Sequence, residues 1–113
     1  LVVSPDLEAA PPGTTLLRDR GEGLNAAVAL ALRSLDPRHA AALVVAADVP
    51  RVTSAEIERL LEACTGADVG LAPDARREGT NALWLRLPAR VVPDFGGASF
   101  ARHRAAALRA GAP

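Results

Sequence analysis

The sequence predicts an α/β layered domain with a mostly parallel sheet flanked by helices, on three observations. Short unbroken apolar runs recur (LVV, AALVVA, ALWL), the form taken by strands covered on both faces. Between them lie longer segments whose apolar residues repeat at helical spacing. Strand and helix alternate along the chain, and 113 residues with 50% hydrophobic side chains suit one domain, 1–113, around a single core.

Taken in order, residues 1–4 read as the end of a strand entered midway, closed by Pro5-Asp6. A loop follows over 9–13, and 14–17 is a second short strand. Gly21-Glu22-Gly23 breaks that strand, and in 24–35 Leu24, Ala27, Val28, Ala31, Leu32 and Leu35 mark a helix that Asp36-Pro37 stops. Residues 41–46 are a central strand, ended by Asp48-Val49-Pro50. Thr53-Ser54-Ala55-Glu56 is a capping signature, with a hydroxyl at the cap and a glutamate three residues on. Ile57, Leu60, Leu61 and Cys64 form one face of the helix that follows, and Gly66 ends it. Residues 67–72 and 81–87 are further buried strands, 93–97 a tight loop, and 99–110 a final helix before Gly111.

Composition excludes several function classes. A formal net charge of zero gives no electrostatic case for nucleic acid or an acidic membrane. Trp84, Phe95 and Phe100 are too few for a base-stacking surface. No apolar stretch approaches the roughly 20 residues that span a bilayer, and no secretory signal is visible. A single cysteine fits a reducing compartment, so a cytoplasmic location is expected. There is no methionine, which together with Leu1-Val2-Val3 leads us to expect part of a longer protein. Exposed strand edges on such a core would let copies associate, so a homo-oligomer is compatible with the sequence.

Four polar clusters flank the expected strand ends, where open α/β sheets bind ligands. Asp48 follows an apolar strand, where a carboxylate is well placed to hold Mg²⁺; the alternative is a turn aspartate bonded to its own backbone. Asp74, after Pro73, reads as a turn residue. Gly96-Gly97-Ala98-Ser99 opens a helix: the glycines allow close approach, and Ser99 either donates to an anion or caps the helix. His103 lies one turn further on the same face, in reach of a ligand or simply packed. Gly21-Glu22-Gly23 with Asn25 is a weak phosphate-loop candidate, Gly23 and Asn25 being its ligand-facing residues. In Gly79-Thr80-Asn81, a hydroxyl and an amide can orient a small oxyanion at the sheet edge, or merely turn the chain into the next strand. A lysine-bearing phosphate loop is excluded, and two histidines with one cysteine make no zinc pattern.

The stretches GEGLNAAV, VVAADVPRVT, APDARREGTNALWLR and PDFGGASFARHRAAALRAG occur in the order and spacing of one family. In them the chain resembles the CofC/FbiD guanylyltransferases of coenzyme F-420 biosynthesis, which are similar to MobA-like nucleotidyltransferases. The resemblance implies a Rossmann-like nucleotidyltransferase fold. It implies the condensation of phosphoenolpyruvate or 2-phospho-L-lactate with GTP, releasing pyrophosphate, with Mg²⁺ as cofactor. On the same ground Thr80, Gly96 and Ser99 match the residues that bind the phospho-acid, with Asn81 beside them. Asp48 matches the catalytic metal aspartate, and the loop with Gly23 and Asn25 flanks the nucleotide. A basic N-terminal loop and a second metal aspartate, both expected of the family, have no counterpart here. Trp84 stands where an aliphatic residue is expected. The readings kept beside this one are a nucleotidyltransferase with another acceptor, such as a sugar phosphate or a molybdenum-cofactor precursor, and a catalytically silent domain that binds a metabolite or a protein. The arginine- and alanine-rich bias favours a bacterial source, where the resemblance implies phosphoenolpyruvate.

Overall fold

The computed structural model describes residues 1–49 and 51–113. Pro50, expected to stiffen the turn after Asp48, lies outside the described residues. The chain divides into two compact units, Leu1–Pro37 and Arg38–Pro113.

In the first unit, β1 (Val2–Val3) pairs in parallel with β2 (Leu16–Leu17). Helix α1 (Leu24–Ser34) follows, with Gly23 at its N-cap and Val28 as its buried residue. Gly23 has φ 101°, a left-handed conformation that a side chain disfavours, which is what the expected break at 21–23 requires. Leu35 has extended geometry immediately before Asp36-Pro37, so the proline stops the helix as expected.

The second unit holds β3 (Ala41–Val45), α2 (Ser54–Ala63), β4 (Val69–Pro73), β5 (Thr80–Arg86) and α3 (Ser99–Arg109). The capping box opens α2. Thr53 Oγ1 accepts the Glu56 N–H at 3.2 Å, and the Glu56 carboxylate accepts the Thr53 N–H at 2.9 Å. Two orphan donors of the first turn are thereby satisfied.

The sheet order is β3-β5-β4, and β5 runs antiparallel to both neighbours. This corrects the expectation of a mostly parallel sheet; among the described residues only the short β1–β2 pair is parallel. The cause lies in the link between β4 and β5. Residues 74–79 are too few for the crossover that a parallel pair needs, so the two strands close as a hairpin. β3 and β4 still run in one direction, with α2 as the connection between them, but β5 occupies the slot between the two.

The register explains Trp84. It stands opposite Gly70 on β4 and Leu43 on β3. A Cβ on Gly70 would lie 3.2 Å from Trp84 Cβ and 2.2 Å from Cys64 Sγ. The glycine therefore makes room for the thiol at the end of α2. Cys64 is buried, as expected of a core residue, and burial pushes its thiol pKa up, away from nucleophile chemistry. Leu83 and Leu85 are fully enclosed and anchor the core with Val91, Phe95 and Ala107; each leucine contributes about 2 kcal/mol by burial.

Gly70→Ala is expected to destabilise the protein by about 1–3 kcal/mol through overpacking. Adding Cys64→Ala should recover part of that loss, because the clashing sulfur is gone. A double-mutant cycle in urea measures the coupling; additive losses would contradict this packing.

Candidate active site

Three segments meet around the start of α3: the 74–79 turn, the first residues of β5, and the 93–97 loop. The turn is organised by Asp74. Its Oδ1 accepts the N–H groups of Arg76 (3.1 Å) and Glu78 (2.9 Å), and its Oδ2 accepts that of Gly79 (3.0 Å). These bonds favour the carboxylate and hold its pKa below the ordinary value. Asp74 is thus the turn residue that the sequence indicated. It also accounts for the glycine at 79, where a Cβ would stand 2.9 Å from Asp74 Oδ2. The close approach that Gly79 permits is to this carboxylate.

The turn docks on α3. Phe100 N–H donates to Glu78 O at 3.0 Å, and the Arg77 guanidinium lies 5.7 Å from the Phe100 ring centroid. One of the first backbone donors of α3 is therefore already engaged. A second, the Ser99 N–H, donates to Gly96 O at 3.1 Å.

A shift in register lies between Ala72 and Pro73, so that Pro73 pairs with Thr80 and Ala72 with Ala82. Asn81 is the extra residue of this bulge. It interrupts strict alternation, and neighbouring residues then serve different helices. Asn81 and Ala82 both line a cleft of about 320 Å³ with Ile57 and Leu60 of α2, Val45 and Arg51. Thr80 instead bonds to α3.

That bond belongs to a buried polar network. Thr80 Oγ1 lies 2.9 Å from His103 Nδ1 and 3.1 Å from Ser99 Oγ. On the far side of the ring, His103 Nε2 accepts the Asp94 N–H at 2.8 Å. Thr80, Ser99 and His103 are all buried, and His103 has no solvent exposure. Burial holds the imidazole pKa below its ordinary value; the Asp94 carboxylate opposes this and the Arg102 guanidinium adds to it. The ring is therefore neutral near pH 7, as its acceptor role at Nε2 requires.

Arg102 fixes the same loop from outside. It donates to the Asp94 carboxylate at 2.8 Å, to Asp94 O at 3.2 Å and to Gly97 O. Phe95 packs its ring edge-on against His103, with centroids 5.0 Å apart. Gly96 has φ 123° and Ala98, the N-cap of α3, has φ 57° with no side-chain cap bond. Ser99 therefore does not cap the helix; its hydroxyl is committed to Thr80.

The predicted site residues thus fall into four places. Thr80, Gly96 and Ser99 are brought together at the start of α3. Asn81 follows Thr80 in sequence but opens onto the cleft. Asp48 is exposed in the turn after β3, and the strand end beside it joins β5 through Ala46 N–H donating to Asn81 O at 2.9 Å. Gly23 and Asn25 lie in the first unit, exposed at the start of α1. His103, Asp94 and Arg102 are the residues that sequence reasoning underweighted. The available signal was the i, i+4 spacing of Ser99 and His103, which sets both on one helical face. Among the described residues no group of three His, Cys, Asp or Glu side chains could hold a metal. An exposed carboxylate such as Asp48 is compatible with Mg²⁺, which usually keeps phosphate oxygens and waters as its other ligands. No helix of the described residues is long and apolar enough to cross a membrane.

The lowered pKa of His103 gives a signed pH dependence. Its stabilising contribution is whole above the ordinary value of 6.5 and is lost as pH falls through the lower folded-state value, because the unfolded chain then binds more protons. Melting temperature should fall as pH is lowered below about 6.5. His103→Gln should flatten that slope, and an equal slope in the variant would contradict the assignment.

The sequence matches a known family. The family model described as guanylyl transferase CofC like matches residues 4–112. The chain is 42% identical to a Sphaerobacter thermophilus protein named phosphoenolpyruvate guanylyltransferase, over all of this chain and 57% of that protein. It is 44% identical to the Rubrobacter xylanophilus protein of the same name, over 98% of this chain and 57% of that protein. A Methanopyrus kandleri protein named 2-phospho-L-lactate guanylyltransferase is 34% identical over 90% of this chain and 48% of its own length. The chain spans about half the length of these curated relatives. On the match of nearly its whole length, the chain belongs to the CofC-like guanylyl transferase family.

Proposed function

We propose that the protein is a guanylyltransferase that condenses a three-carbon phospho-acid with GTP and releases pyrophosphate, in the making of coenzyme F-420. The observation that carries this reading is the buried Thr80–Ser99 hydroxyl pair beside the glycine turn at Gly96, within a chain of this family. Phosphoenolpyruvate is the preferred acceptor, since the bacterial relatives at 42% and 44% identity bear that name. We further assign the chain to a Rossmann-like nucleotidyltransferase fold of the MobA type.

The reaction needs positioning and charge neutralisation more than a nucleophilic side chain. An acceptor phosphate oxygen attacks the α-phosphorus of GTP, forming one P–O bond, while the bond to the β-phosphate breaks and pyrophosphate leaves. The attacking phosphate is already ionised near neutral pH, so no general base is required. Thr80, Ser99 and the Gly96 turn hold the acceptor, and Asn81 orients it from the cleft side. Asp48 would hold Mg²⁺, which supplies neutralisation of the phosphate charge when bound. Gly23 and Asn25 are assigned to the nucleotide.

Pyrophosphate release by the full-length protein with GTP and Mg²⁺ tests this, with phosphoenolpyruvate and 2-phospholactate in separate reactions. Release that depends on one acceptor is expected. No release with either would leave another acceptor or a silent binding domain. Within an active enzyme, Ser99→Ala should raise the KM for the phospho-acid about tenfold, because Thr80 then loses the hydroxyl that orients it toward the acid. Asp48→Asn should instead lower kcat. An unchanged KM in the serine variant would contradict the assignment of Ser99.

A further inference from the structure

Hydrogen atoms can be counted through the buried network. The Asp94 N–H points at His103 Nε2 at 2.8 Å, and a backbone amide can only donate. Nε2 must therefore present its lone pair. A neutral ring then carries its proton on Nδ1, 2.9 Å from Thr80 Oγ1, so the ring donates and the threonine oxygen accepts. The contact between Ser99 Oγ and Thr80 Oγ1 uses one hydroxyl proton. Three protons (on Nδ1, Thr80 and Ser99) serve two contacts, and one hydroxyl proton is left over. Among the described residues neither hydroxyl donates to any other acceptor. Ser99 Oγ is the donor to Thr80 Oγ1, which also accepts from Nδ1, so the surplus proton is that of Thr80, the less buried of the two residues.

The opposite tautomer would reverse this. With the proton on Nε2, the Asp94 N–H would face another donor, and Nδ1 would consume the Thr80 proton. The backbone amide of one residue thus decides whether the hydroxyl pair offers a proton or has none to give. A donor suits an anionic oxygen, and an acceptor of protons would repel it.

We propose that His103 is a positioning residue of the phospho-acid site: held in one tautomer by the Asp94 N–H, it turns the Thr80–Ser99 pair into an outward hydrogen-bond donor for an anionic oxygen of the acceptor. This rests on the phospho-acid reading of the site. The neutral state favoured by burial agrees with it. The same logic operates at metal centres, where a partner on one ring nitrogen sets what the other can do.

Two substitutions separate the two ring nitrogens. The shorter amide of His103→Asn can place an N–H near the Nδ1 position and donate to Thr80, but it loses Asp94. The longer amide of His103→Gln can accept the Asp94 N–H near the Nε2 position, but it offers no donor to Thr80. Phosphoenolpyruvate binding is measured by calorimetry on the full-length wild type and both variants. The asparagine variant should bind within about threefold of wild type and the glutamine variant about tenfold more weakly. Any other order, including equal losses, would overturn the proposal; glutamine binding better than asparagine would show that His103 acts only by tethering the loop. Wild-type protein that binds no phosphoenolpyruvate would defeat the phospho-acid reading itself. Where a variant does not fold, the ring-nitrogen NMR signals of wild-type His103 decide. A proton on Nδ1 near pH 7 supports the proposal and a proton on Nε2 overturns it.

Discussion

A buried imidazole that bonds on both sides is the constraint on which the second unit depends. His103 accepts from the loop at Asp94 and reaches Thr80 on β5, and Thr80 in turn meets Ser99 on α3. Loop, strand and helix are therefore held by one ring with no exposure to water. Each side-chain polar atom of this network has a partner, and a buried polar group left without one costs about 1–3 kcal/mol. The loop is clamped again from outside by Arg102, the residue preceding the histidine. Two consecutive residues of one helix thus fix the inner and outer faces of 93–97, which places Gly96 beside the hydroxyl pair.

The other half of the arrangement is made by β5. A hairpin link too short for a crossover sets its direction, and the bulge at Asn81 sends neighbouring side chains to different helices. One strand start can then serve both the hydroxyl cluster and the cleft under α2. Asp74 makes this geometry reproducible by gathering the amides of the preceding turn. Gly79 leaves the space that this carboxylate occupies.

Much of this was legible in the sequence, and the exceptions have physical causes. Thr53 and Glu56 declared the start of α2, and proline and glycine marked the ends of the helices, because these are local backbone effects. The continuous apolar run of β5 revealed burial but not direction; burial on two faces looks alike in a parallel strand and in a central antiparallel one. The six residues of 74–79 carried the missing information about direction. Thr80 and Ser99 could be marked as a pair of hydroxyls flanking a glycine turn. Their partner could not, since whether a histidine is a hub or a packing residue depends on which donor reaches its second nitrogen. That donor here is a backbone N–H, which leaves no trace in residue identity.

The most direct measurement is a crystal structure of the full-length protein with phosphoenolpyruvate and an unreactive GTP analogue. The account predicts the phospho-acid at the start of α3, with an anionic oxygen within hydrogen-bond distance of Thr80 Oγ1 and the Asp94–His103–Thr80–Ser99 chain intact. The acid bound elsewhere, or bound with His103 turned away from Thr80, would contradict it.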